Sequence, residues 1–180
     1  MNSGRVIILT GEIGSGKSNL CLDVALKAKE GDVQLAGIIS PAVFTEGEKT
    51  GIDLINLKNW ERRNLAVRRD QRKSALETGN WSFFLESIQW GNQVLKDAIP
   101  CELLIVDELG PLEFNRGEGW ISGLAAVDSG NFIGALVVIR PSLLATAEQR
   151  WKISRIVDVS DPQTSSLSEA DLLAELQARA

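Results

Sequence analysis

Gly11-Glu12-Ile13-Gly14-Ser15-Gly16-Lys17-Ser18, GEIGSGKS, is a complete Walker A pattern with its lysine and its hydroxyl residue in place. The stretch before it, Arg5-Val6-Ile7-Ile8-Leu9-Thr10, is short, apolar and partly β-branched, as a buried parallel strand requires. The stretch after it carries apolar or small residues at Leu20, Cys21, Val24, Ala25 and Ala28, the spacing of a helix with one buried face. Strand, loop and helix in that order predict a phosphate-binding loop at the head of an α/β fold.

The loop's chemistry follows from its residue types. Gly11, Gly14 and Gly16 reach backbone angles closed to other residues, so the loop can curl with its amides pointing inward at phosphate oxygens. The helix opening near Gly16 adds unpaired N–H groups and the positive end of its dipole. Lys17 can reach the β and γ phosphates, and the Ser18 hydroxyl can ligate a Mg²⁺ that bridges them. The expected nucleotide-binding set is Gly11, Glu12, Ile13, Gly14, Ser15, Gly16, Lys17, Ser18 and Asn19.

The whole chain sets the frame. At 180 residues it is long enough for one domain with a substantial core, so residues 1–180 are expected to form a single domain. No apolar run approaches the roughly 20 residues that span a bilayer, and the N-terminus lacks the pattern of a signal peptide. Two cysteines, Cys21 and Cys101, do not make a disulfide framework, and a reducing cytoplasm is the expected compartment. There is no histidine, so carboxylates and cations must carry any acid–base chemistry. The formal net charge of −5 argues against a general nucleic-acid binder. It is unevenly spread: residues 58–73 carry Lys58, Arg62, Arg63, Arg68, Arg69, Arg72 and Lys73 against Glu61 and Asp70. That stretch reads either as a solvated face or as a patch for a phosphorylated acceptor.

Further along, residues 33–40 (VQLAGIIS) read as a second strand ending at Pro41. Residues 43–57 place EGEK between two extended runs, an antiparallel hairpin to which 65–67 adds a short strand, so 43–68 forms an insertion. Residues 69–80 read as an exposed loop, and a helix is predicted from about Ser82 to Asp97. Then come a buried strand at 103–106, a helix around 120–127, the most hydrophobic strand at 132–139 and a helix through Trp151. A short strand at 156–159 and a closing helix at 168–179, with Ser168 and acidic residues at its start, complete the order. Alternating strands and helices predict a three-layer α/β/α architecture, mainly parallel, with the ligand at the carboxyl edge of the sheet.

The second half of the site lies a hundred residues downstream. Leu103-Leu104-Ile105-Val106 runs into Asp107-Glu108. Beyond a phosphate loop, such a strand sets its first carboxylate beside the magnesium, so Asp107 is the expected partner of Ser18 in holding the ion. Glu108 is the expected base that orients or deprotonates a water. Arg140 follows the 132–139 strand at the ligand edge and can steady the γ phosphate. Arg150 and Arg155 could form a lid, Glu113 could hold an arginine or the substrate, and Trp151 could stack on a base, although surface ion pairs and core packing explain these residues as well.

The GEIGSGKS loop, the GIISPAVFTEGEKTGIDLINL hairpin, VDELGPLEF and the late apolar strand together resemble the small THEP-type nucleoside-triphosphatases over most of the chain. Gly51-Ile52-Asp53 matches that family's Gly-Phe-Asp, and Asp107, Glu108, Gly110 and Glu113 keep its spacing. The resemblance implies a RecA-like or kinase-like P-loop fold and Mg²⁺-dependent hydrolysis of nucleoside triphosphates with loose base selectivity. Two cations of the pattern are absent: Phe44 stands at the hairpin arginine and Pro111 at the lysine after Ile-Gly. The leading expectation is an NTPase using Lys17, Glu108 and Arg140. The alternatives are a phosphotransferase with an acceptor near 58–73 and a nucleotide-gated binding protein whose partner supplies the missing cations.

Overall fold

The computed structural model describes residues 4–70, 77–164 and 167–178. Its sheet has two halves. In the first, β10 (Ile153–Asp158), β1 (Arg5–Thr10), β9 (Phe132–Ile139), β8 (Cys101–Leu109) and β2 (Leu35–Ile39) lie side by side, all parallel. Helices cover both faces: α1 (Lys17–Glu30) and α5 (Glu169–Gln177) on one, α2 (Leu85–Lys96), α3 (Ile121–Ser129) and α4 (Leu144–Arg150) on the other.

Because side chains alternate along a strand, each parallel strand feeds both layers. Val6, Ile8, Leu104, Val106 and Val137 pack with Leu95, Leu124 and Ala147. Ile7, Leu9, Ile105, Leu136 and Val138 pack with Val24, Ala25, Leu172 and Leu176. A fully buried Leu or Ile of this kind contributes about 1.5–3 kcal/mol, so the two layers hold the edge that carries the site rigid. Helix α5 starts as its sequence demands: the Ser168 hydroxyl accepts from Asp171 N–H, and the Asp171 carboxylate accepts from Ser168 N–H. Among the described residues no helix is long and apolar enough to cross a membrane. Cys21 and Cys101 are free thiols.

The second half is antiparallel. β4 (Glu48–Asn56) pairs with β2, β3 (Ala42–Thr45) with β4, and β5 (Arg62–Arg68), β7 (Trp81–Phe83) and β6 (Glu77–Thr78) follow in order. This wing departs from the sequence expectation in three places. The hairpin turns on Glu46 and Gly47 alone, with φ of 52° and 84°, so Glu48 and Lys49 belong to the strand and not to the turn. The segment expected as a loop contributes β6, and Trp81 to Phe83 form β7, so α2 begins at Leu85. Strand β5 starts three residues early because its first half, Arg62 to Asn64, is exposed and shows no apolar run. Residues 71–76, including Arg72 and Lys73 of the basic stretch, and residue 179 of the closing helix lie outside the described residues.

Candidate active site

β1 delivers the chain to the carboxyl edge at Thr10, and the phosphate loop begins there. Gly11, Gly14 and Gly16 take φ of 138°, 80° and 93°, the region that their lack of a side chain opens. Gly16 is the residue before α1, and no side chain caps that helix, so its first amides remain open to a ligand. Lys17 is buried and folds back over the loop, donating to Gly11 O at 2.9 Å and Glu12 O at 2.7 Å. Gly11 is buried, Glu12, Ile13, Gly14 and Asn19 are exposed, and Ser15, Gly16 and Ser18 lie between. Ser160, just after β10, braces the loop from the side: its hydroxyl accepts from Glu12 N–H at 2.8 Å.

β8 brings Asp107 to the same edge, with β9 lying between β1 and β8. Asp107 is 2% exposed. Ser40, at the end of β2, clasps it twice: Ser40 N–H donates to Oδ2 at 3.1 Å and the Ser40 hydroxyl to the Asp107 carbonyl at 2.9 Å. Burial pushes the Asp107 carboxyl up to about 6, against the pull of hydrogen bonds from the Ser18 hydroxyl and Ser40 N–H and of the Lys17 charge. The loop and the acidic strand end therefore meet. Ser18 and Asp107 offer hydroxyl and carboxylate oxygens, the donors that suit Mg²⁺, and a desolvated carboxylate gains most from a nearby cation. Among the described residues no group of three or more His, Cys, Asp or Glu could hold a metal, so phosphate and water oxygens would complete such a shell.

Glu108 follows across a cis peptide and turns toward β9. Its Oε1 accepts from Arg140 Nε at 2.5 Å. Pro141 keeps Arg140 extended, at φ −66° and ψ 146°, at the carboxyl end of β9, the strand between β1 and β8. Glu113 is buried and takes neither an arginine nor an open position: its two oxygens accept from Gly110 N–H and Trp120 N–H, each at 2.7 Å. It fastens the turn that leaves Glu108, and burial raises its pKa despite those bonds.

Other expected residues lie elsewhere. Arg150 is paired with Asp128, which also accepts from the Trp151 indole at 2.8 Å, and Arg155 is paired with Glu175. Trp151 is buried edge-on against Phe114, so it offers no face to a base. In the basic stretch Arg62 pairs with Asp53, Arg63 with Glu61 and Arg68 with Glu48. The register of β5 on β4 and β4 on β2 sets Arg62 and Arg63 level with the end of β2, with β4 and β2 lying between them and the Asp107 strand.

Two features escaped the sequence reading. Phe44 is 63% exposed, and its cross-strand partner on β4 is Lys49. Reading Glu46-Gly47 as a two-residue turn would have found this pairing. The second is a cavity of about 200 Å³ beside the loop, lined by Ser15, Gly16, Leu20, Val157, Val159, Thr164 and Leu167.

The chain is similar to known proteins. The sequence profile of a family described as NTPase matches residues 6–120. The nucleoside-triphosphatase THEP1 of Methanocaldococcus jannaschii is 26% identical, over 94% of this chain and 92% of its own length. That of Pyrobaculum aerophilum is 32% identical over 61% of this chain and 62% of its own. The solution structure of a human cancer-related nucleoside triphosphatase superposes with a TM-score of 0.69 at 21% identity, covering 97% of this chain and 98% of its own. The crystal structure of THEP1 from Aquifex aeolicus gives 0.69 at 17%, covering 96% and 99%. With the phosphate loop, the acidic strand end and the profile in agreement, the chain belongs to the NTPase family of THEP-type nucleoside-triphosphatases.

Proposed function

We propose that the chain hydrolyses nucleoside triphosphates to the diphosphate and phosphate, with Mg²⁺ and with little preference among bases. The observation that carries this reading is the meeting of Ser18 and Lys17 from the loop with the buried Asp107 carboxylate. The open amides of the loop and of α1 would receive the phosphate oxygens. Lys17 would exchange the Gly11 and Glu12 carbonyls for β and γ oxygens. Ser18 and Asp107 would hold Mg²⁺, which when bound neutralises charge on those oxygens.

Glu108 would orient a water toward the γ phosphorus and take its proton as the new P–O bond forms. The bond to the β,γ-bridging oxygen breaks, and the electron pair leaves with the diphosphate. For this Glu108 must be freed from Arg140, and the incoming γ phosphate is a stronger anionic partner for that guanidinium. Triphosphate binding would thus release the base and deliver a cation in one exchange.

The cavity beside the loop supports loose base selectivity. Leu20, Val157, Val159 and Leu167 can cover any base face, and the Thr164 hydroxyl is committed to the carbonyls of Asp158 and Asp161. Discrimination of 10⁴ or more needs polar groups that a wrong base leaves unpaired, so kcat/KM for ATP and GTP should agree within about tenfold.

The deciding experiment is Glu108→Gln. ATP affinity should persist by calorimetry while turnover falls about 10²-fold or more. Unchanged turnover would remove Glu108 from the reaction, and absence of binding heat with both ATP and GTP in wild-type protein would remove the whole reading.

A further inference from the structure

The charges at the carboxyl edge do not balance with the residues already described. A triphosphate together with Asp107 and Glu108 carries more negative charge than Mg²⁺, Lys17 and Arg140 would offset. Arg140 is also already neutralised by Glu108 at 2.5 Å. A further cation within reach of the acidic pair would matter most as charge moves onto the leaving diphosphate.

Several cations are committed elsewhere: Arg62, Arg63, Arg68, Arg150 and Arg155 each hold a carboxylate. Lys49 does not. Among the described residues its ammonium has neither an ion pair nor a hydrogen bond, and it rests 4.8 Å above the Trp81 ring. The hairpin that carries it springs from the site. β3 leaves the carboxyl edge directly after Ser40, the residue that clasps Asp107, and the Glu46-Gly47 turn brings the chain back into β4 with Lys49 opposite Phe44. The fields of both Glu108 and Asp107 are felt at its ammonium, and partial desolvation lowers its pKa in spite of them. A ring face holds a cation without consuming its hydrogen bonds and only weakly at an exposed site, so leaving it costs little.

We propose that Lys49 is a catalytic cation of this site, moving from the face of Trp81 onto the γ-phosphate oxygens of a bound triphosphate. Trp81 is its positioning residue. The inference rests on the hydrolytic reading above and names which side chain of the wing completes the charge at the reacting phosphorus.

The test uses the full chain with Mg²⁺ and ATP, and calorimetry with ADP and with the nonhydrolysable β,γ-imido analogue of ATP. Lys49→Ala should lower kcat by at least tenfold and up to about 10²-fold, leave ADP affinity within about twofold, and weaken the analogue by tenfold or more. Lys49→Arg should recover most of the loss, and Lys49→Gln should not. A structural role would move ADP and analogue affinity together and would lower the melting temperature, so that pattern overturns the proposal. So does a kcat within about twofold of wild type. If wild-type protein itself neither binds nor hydrolyses ATP or GTP, the hydrolytic reading fails; if it turns over and Lys49→Ala matches it, only Lys49 is dismissed.

Discussion

The parallel half of the sheet and the antiparallel wing handle charge in opposite ways. In the parallel half the ionisable groups that would hold phosphate and metal are buried and few: Lys17 and Asp107 are each under 10% exposed, and each is held by backbone or hydroxyl groups. In the wing charges are numerous and exposed, paired with each other or laid on tryptophan rings, as Arg63 is on Trp90 at 4.2 Å and Lys49 on Trp81. A group locked in a dry, packed layer is preorganised for one task, while a group on a wet surface can change partners at little cost. The difference divides labour: one half fixes where phosphate and metal would sit, and the other can bring a mobile cation to them.

That division is broken most directly at the buried end. Lys17→Ala leaves the Gly11 and Glu12 carbonyls without their donor and the phosphates without their buried cation, so kcat/KM for Mg·ATP should fall about 10³-fold. Turnover within tenfold of wild type would mean that exposed wing cations can replace a buried one, and the comparison would collapse.

Asp107 sharpens the contrast because its burial is costly. Its carboxyl lies near 6 in the folded protein, above the roughly 3.9 of an unfolded chain, so the fold favours the protonated form. Its contribution to stability is therefore greatest below about pH 4 and is lost as pH rises through about 6, a cost of up to about 3 kcal/mol at pH 7.5. Asp107→Asn removes that charge. Metal-free protein carrying it should melt several degrees higher at pH 7.5, with a flatter dependence between pH 4 and 6, while stabilisation by Mg²⁺ and ATP is lost. A lower melting temperature would show that the carboxylate is stabilised where it sits.

The same contrast explains what was legible in the sequence. The β1 strand, the GEIGSGKS loop and the β8 strand could be read because burial on both faces demands unbroken apolar runs, and because a loop that wraps phosphate demands glycine and lysine at fixed spacing. Strands with a wet face leave no such trace. β10 begins at Ile153, three residues before its expected start, because Ser154, Arg155 and Ile156 are exposed at the sheet edge. Arg62, Arg63 and Asn64 hide the start of β5 in the same way. The role of Glu113 was hidden for another reason: which backbone amides a buried carboxylate fastens depends on the turn at 110–120, and no local pattern encodes it. Lys49 could not be assigned while the turn was read as four residues, since a two-residue shift in a hairpin decides which side chains oppose each other.

The smallest expected effect probes the far end of the wing. Arg63 is half exposed, bonded to Glu61 through Nε at 3.0 Å and Nη2 at 2.7 Å, and stacked on Trp90 of α2. An exposed ion pair and an exposed cation–π contact are each worth about 1 kcal/mol or less, and both partners stay solvated when the guanidinium is removed. Arg63→Ala should therefore cost about 1 kcal/mol in denaturant unfolding and leave ATP turnover unchanged. Arg63 lies opposite Leu54 with β4 and β2 between β5 and the Asp107 strand, and its guanidinium is held by Glu61 and Trp90, so it has no assigned part at the reacting phosphorus. A marked fall in turnover would mean that the basic run along β5 takes part in the chemistry. It would return phosphoryl transfer to an acceptor bound on the wing as the reading to test.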